Sequence, residues 1–124
     1  MADASSMFSG KVALITGSGR GMGRAHAVLL AEHGADIVVH DIVREGAAET
    51  GEMVRRHGRR AVVAVGDVAE PATMARIVGQ AEAELGRVDI LVNNAGIGAD
   101  RATIDKIDEA MFDRMFDVHV KGSF

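Results

Sequence analysis

The sequence predicts an α/β chain: an open, doubly wound parallel sheet of about four strands in the order 3-2-1-4 with flanking helices, the first, incomplete half of such a sheet. Two observations carry that expectation. Four short apolar runs are continuous rather than alternating, which is how strands read when helices cover both faces of a parallel sheet. Between them lie segments of helical period, three of which stop just before a glycine.

The first run is Val12-Ala13-Leu14-Ile15, and the helical segment after it carries Ala25, Val28 and Leu29 and stops before Gly34. The second, Ile37-Val38-Val39, leads to a helix that stops before Gly58. The third, Ala61-Val62-Val63-Ala64-Val65, precedes a helix opened by Pro71, whose missing N–H costs nothing in a first turn. That helix places Met74, Ile77, Val78, Ala81 and Leu85 on one face and stops before Gly86. The fourth run is Ile90-Leu91-Val92. A helix is expected after it from Thr103, with Ile104, Ile107, Met111, Met115 and Val118 on one face, and Thr103 with Lys106 makes half of a capping box. A further element is expected to open over residues 118–124. At the sheet edge the fourth run is unusually apolar; a missing fifth strand would account for it, and self-association, partial unfolding or a partner chain over that edge is expected. Residues 1–8 are expected to form a flexible tail, and residues 9–124 one nucleotide-binding domain truncated before a catalytic half.

Composition narrows the function. The core must be aliphatic, because the 124 residues include four Phe and no Trp or Tyr. A net charge of −4 from 14 basic and 18 acidic residues gives no broad basic face, so neither nucleic acid nor an anionic membrane is an expected partner. The lack of cysteine excludes disulfides, thiolate catalysis and Cys-based zinc sites. No signal-peptide pattern and no membrane-length apolar run is present, so the cytoplasm is the expected location.

The first β-α turn reads Thr16-Gly17-Ser18-Gly19-Arg20-Gly21-Met22-Gly23. It follows a strand and opens a helix, the context in which glycines let backbone N–H groups and a helix N-terminus face a pyrophosphate. The same residues also suit a glycine-rich turn with no ligand; a Walker loop is excluded, since no Gly-Lys-Ser/Thr follows. This is a Rossmann-type arrangement. Asp41 closes the second strand, 24 positions after Gly17 (41 − 17), with Ile42 beside it. A carboxylate there can accept from adenosine ribose hydroxyls and would repel a 2′-phosphate, which favours NAD over NADP. The alternatives are that Asp41 caps the second helix, or that Arg20 pairs with a 2′-phosphate. Asp67-Val68 follows strand three, where a carboxylate and an apolar wall suit an adenine, or an ordinary strand-to-loop turn. Asn93-Asn94-Ala95-Gly96 ends strand four: Asn side chains can tie loop backbone together and small residues leave room for a ribose, though alone it reads as a plain turn.

Together, Thr16-Gly-x-x-x-Gly21-x-Gly23, Asp41, Asp67-Val68 and Asn93-Asn94-Ala95-Gly96 closely resemble the short-chain dehydrogenase/reductase family, from about Ser9 to the last residue. The resemblance implies an NAD-dependent oxidoreductase moving hydride between nicotinamide and an alcohol or ketone, with a homo-oligomeric assembly. By that likeness Gly17, Ser18, Arg20, Gly21, Met22 and Gly23 form the pyrophosphate loop, Asp41 and Ile42 the ribose side, Asp67 and Val68 the adenine side, and Asn93, Ala95 and Gly96 the nicotinamide side. Two departures stand out. The family's Ser and Tyr-x-x-x-Lys group has no counterpart in a chain without tyrosine, so the chain alone is expected to be inactive, with a substrate pocket only in a complete protein. His119 stands where the family commonly has an Asn that supports a proton relay. It is either a relay position in a complete protein or a helix-packing histidine. His26, His33, His40 and His57 lack metal-ligand spacing, and no metal site is expected. The alternative function is a non-catalytic dinucleotide-binding or interaction module; a methyltransferase gives Asn93 to Gly96 no role.

Overall fold

The computed structural model describes residues 6–97 and 104–124; residues 1–5 of the expected tail and the expected cap Thr103 lie outside the described residues. The elements run β1 (Val12–Ile15), α1 (Gly21–Glu32), β2 (Asp36–Asp41), α2 (Arg44–Arg56), β3 (Ala61–Val65), α3 (Pro71–Leu85), β4 (Ile90–Val92) and α4 (Glu109–Phe116). All strands are parallel and their order is β3-β2-β1-β4, as the sequence predicts.

The continuous apolar runs follow from two core layers. Alternate residues Ala13, Ile15, Ile37 and Val39 point to the layer that holds Ala27 and Ala31 of α1 and Ala47 and Val54 of α2. Val12, Leu14, Val38, Val62 and Ala64 point to the layer built on Ile77, Ala81 and Leu85 of α3. A central strand with both faces buried has no polar positions to alternate. Each fully buried aliphatic side chain contributes about 1.5–3 kcal/mol, which is how so few aromatics suffice.

Helix ends follow local chemistry. Pro71 sits in the first turn of α3, and Gly34, Gly58 and Gly86 take φ of +102°, +75° and +89° just after α1, α2 and α3, a conformation that L side chains resist. Met74 and Val78 pack beside Ile77, Ala81 and Leu85 as the period requires. The buried face of α1 is Gly23, Ala27 and Ala31, whereas Ala25 and Leu29 are exposed and Val28 is half-buried. Close approach to the first loop selects the small-residue stripe over the larger apolar side chains. The helix expected from Thr103 begins at Glu109, after a 3-10 turn at Ile104–Lys106, because the Asp108 carboxylate accepts from the Met111 N–H at 2.8 Å and caps it. No new element opens at residue 118. The helix instead widens into a π-helical segment, Asp117–Lys121, whose Val118 is buried. No helix among the described residues is long and apolar enough to cross a membrane.

Candidate functional site

Strand register brings the loops together. Ile15 of β1 pairs with Val39 of β2 and Val92 of β4, so β2 runs two residues past β1 (41 − 39) and sets His40 and Asp41 beside the first loop. The chain steps from β1 to β2 and β3 on one side and then crosses from β3 through α3 to β4 on the other side of β1, and this reversal of direction opens a crevice at the carboxyl ends of the strands. A cleft of about 590 Å³ lies there, within the range of small-ligand sites.

The loop after β1 is fixed by its own side chains. The Thr16 hydroxyl, buried, accepts from the N–H groups of Asn94 and Ala95 at 2.9 Å each, tying it to the loop after β4. The Asn94 amide donates to the Gly17 carbonyl at 3.2 Å. Gly17 itself takes φ +67°, and a Cβ there would lie 2.9 Å from Ala95 Cα. A Cβ on Gly23 would lie 2.3 Å from the Gly17 oxygen, so only glycine lets α1 start this close to the loop. The first turn of α1 has no side-chain cap and no acidic residue. Its leading N–H groups and the positive end of its dipole therefore suit an anion in the cleft.

Asp41 holds the second wall. One carboxylate oxygen accepts from the Gly19 N–H at 2.9 Å, the other from Ile42 and Val43 N–H at 2.8 and 3.2 Å. It stiffens the turn into α2 without capping that helix, whose N-cap is Val43. Arg24 braces the same corner: its guanidinium donates to Thr50 Oγ1, to the Gly19 and Gly46 carbonyls and to Glu49.

At the end of β3, Asp67 accepts from Ala69 N–H and pairs with Arg114 of α4, both at 2.9 Å. The Ala69 bond, the largest influence, holds its carboxyl below the usual range with help from Arg114, against the opposing effect of burial. Val68, buried, carries the apolar wall, and a Cβ on Gly122 would reach its methyl at 2.7 Å.

Of the sequence-predicted residues, Gly17, Arg20, Gly21, Met22, Asp41, Ile42, Asp67, Val68, Ala95 and Gly96 line the cleft together. Ser18 lies behind it, fully buried, donating to the Ile15 carbonyl at 2.8 Å, and Gly23 forms the helix contact just described. Asn93 is exposed outside the wall, and Asn94 takes the lining place. His119 meets the loop after β4: its Nε2 lies 2.7 Å from the Ile97 carbonyl and 3.1 Å from the Ile97 N–H, and its ring lies where a Cβ on Gly96 would be, at 2.6 Å. Arg24, His40 and Arg114 also line the cleft and have no motif that marks them. His40 comes in through the pairing of β2 with β1, Arg24 through its bonds to Thr50 and Glu49 of α2, and Arg114 through its ion pair with Asp67.

The same geometry recurs in known proteins. Residues 11–124 match the short chain dehydrogenase family. A putative short-chain type dehydrogenase/reductase of Mycolicibacterium smegmatis is 44% identical over 91% of this chain and 45% of its own length. Carveol dehydrogenase from Mycobacterium avium, solved with NAD, aligns at a TM-score of 0.86 with 39% identity over 92% of this chain and 46% of that one. A 3-ketoacyl-(acyl-carrier-protein) reductase from Brucella melitensis, solved with NADH, aligns at 0.87 with 36% identity over 94% and 46%. The chain thus spans less than half the length of these relatives. With its sheet order, its glycine loop and the sequence match over nearly all its length, the chain belongs to the short-chain dehydrogenase family.

Proposed function

We propose that the cleft binds NAD in preference to NADP and that the chain is the nucleotide-holding part of an oxidoreductase acting on an alcohol or ketone. The observation that carries this reading is the pairing of an uncapped helix N-terminus at Gly21 with a carboxylate, Asp41, across the same cleft. The helix end and glycine loop favour the pyrophosphate. Asp41 has lone pairs left for ribose hydroxyls, and it repels a 2′-phosphate. Arg24 does not offset that repulsion, because its donors are committed to Thr50, Gly19, Gly46 and Glu49. Exposed Ile42 and buried Val68 supply apolar walls for an adenine, with Asp67 as an acceptor. Bound nicotinamide supplies the hydride chemistry. The residues of this chain bind and orient the dinucleotide; with no tyrosine among the 124 residues, the proton transfer is assigned to none of them.

A second reading is a non-catalytic dinucleotide-binding module. Fluorescence titration with NADH and NADPH tests the first. NADH is expected to bind about tenfold or more tightly, a difference of about 1.4 kcal/mol, and Asp41→Asn to erase most of it. Equal affinity for the two would overturn the assignment of Asp41. NADH binding without turnover on any alcohol or ketone, in every context where the chain is expressed, would favour the module.

A further inference from the structure

Under the glycine loop lies a histidine that no motif explains. His40 is 2% exposed, on the part of β2 that overruns β1. Its Nδ1 accepts from the Gly17 N–H at 3.2 Å and its Nε2 lies 2.7 Å from the Gly66 carbonyl oxygen. An amide N–H can only donate and a carbonyl only accept, so the two partners dictate the tautomer: bare Nδ1, protonated Nε2, neutral ring. The imidazole thereby bridges the first residue of the glycine loop to the turn after β3, across the floor of the cleft.

We propose that His40 is the positioning residue of the glycine loop: as the neutral Nε2–H tautomer it holds Gly17 and Gly66 in register for the dinucleotide, and taking up a proton releases the loop. This rests on the reading of the cleft as a dinucleotide site. A proton on Nδ1 would set one N–H against another at Gly17 and leave that amide unpaired in a half-buried turn. The backbone of residue 40 makes its own bonds, Ser18 N–H to the His40 carbonyl at 2.7 Å and His40 N–H to Ser18 Oγ at 3.1 Å. Those survive any change of side chain, so the ring's contribution is confined to Gly17 and Gly66.

Four groups act on the ring's charge besides its burial. The Gly66 carbonyl, Asp41 on β2 and Asp67 after β3 favour the proton, and Arg76 on α3 opposes it. Burial is the largest influence and holds His40 below the ordinary histidine value of 6.5. Because the unfolded chain then binds the proton more readily, the brace is fully present above 6.5 and is lost as pH falls through the lower folded value.

The test combines imidazole 15N NMR of the 124-residue chain with NADH titrations of wild type, His40→Asn and His40→Leu. Wild type is expected to show a neutral Nε2–H ring that titrates below 6.5, and to lose NADH affinity as pH falls through that lower folded value, by less than about tenfold between about pH 7.5 and pH 5.5. His40→Asn keeps an acceptor near Gly17 but has no proton to gain. It should bind severalfold more weakly at neutral pH, for want of the Gly66 bond, yet change by less than about twofold over the same pH range. His40→Leu should be weaker than His40→Asn at both. A ring that titrates at or above 6.5, or equal pH dependence in wild type and His40→Asn, overturns the proposal. NADH that binds but is indifferent to pH sinks this inference alone, whereas no NADH binding at neutral pH sinks the dinucleotide reading and the release of ligand with it.

Discussion

Thr16 and Gly23 set the loop by opposite means, one by offering an atom and the other by lacking one. Thr16→Val keeps the shape but removes the acceptor shared by the Asn94 and Ala95 N–H groups. Leaving them unpaired is expected to cost about 1–3 kcal/mol, read as a lower urea midpoint with an unchanged slope. A midpoint equal to wild type would mean that water replaces the hydroxyl. Gly23→Ala forces a methyl to 2.3 Å from the Gly17 oxygen and 2.6 Å from the Asn94 amide. Since both neighbours belong to the braced loop, the helix must retreat, at about 1–3 kcal/mol, and NADH affinity should fall more than stability alone explains. At this scale the sequence is legible where a residue acts through backbone freedom or position in a motif, as Gly17, Gly23 and Asp41 do. It is opaque where a side chain reaches across the sheet. Arg24 meets Thr50 and Glu49 on another helix, and Asn94 rather than Asn93 faces Gly17, because which of two adjacent Asn turns inward depends on β4's register with β1.

Among the elements, α3 was readable from end to end, since Pro71 and Gly86 mark its limits and its apolar period matches its buried face. The start expected for α4 at Thr103 was six residues early (109 − 103). Periodicity finds a helix that an apolar layer holds, as Ala27 and Ala31 hold α1, whereas α4 has no buried residue of its own. What holds α4 is polar: the Asp108 cap and the Arg114–Asp67 pair. Asp108→Ala should cost about 1 kcal/mol and speed amide exchange over its first turn. Exchange rates there that match wild type would show that the cap is dispensable. The Asp67 carboxyl is held below its ordinary value of 3.8, so its share of stability is present above that pH and is lost as pH falls through the lower folded value. Asp67→Asn should therefore flatten the acid limb of α4 exchange, and an unchanged limb would assign acid loosening of the helix to other groups.

The sheet as a whole carries an edge that no described residue covers. The order 3-2-1-4 was legible because right-handed crossovers leave few alternatives once four buried strands alternate with helices. Among the described residues β4 pairs only with β1, and its Leu91 is 52% exposed. On α4, Phe112 and Phe116 are about equally exposed and stack on each other at 4.8 Å instead of entering the core. An apolar edge strand with free N–H and C=O groups favours pairing with another copy. The 124-residue chain is expected to associate with rising concentration, measured by sedimentation velocity. Leu91→Lys should shift it toward monomer, because a charge on an edge strand must be desolvated for a second strand to pair there. As the Leu91 side chain is mostly in water already, the substitution should move the unfolding free energy by no more than about 0.5 kcal/mol. The two readouts separate the causes. Association that persists in Leu91→Lys but falls in Phe116→Ser would place the contact on α4, and a monodisperse wild-type monomer up to its solubility limit would show that neither surface is sticky enough to matter.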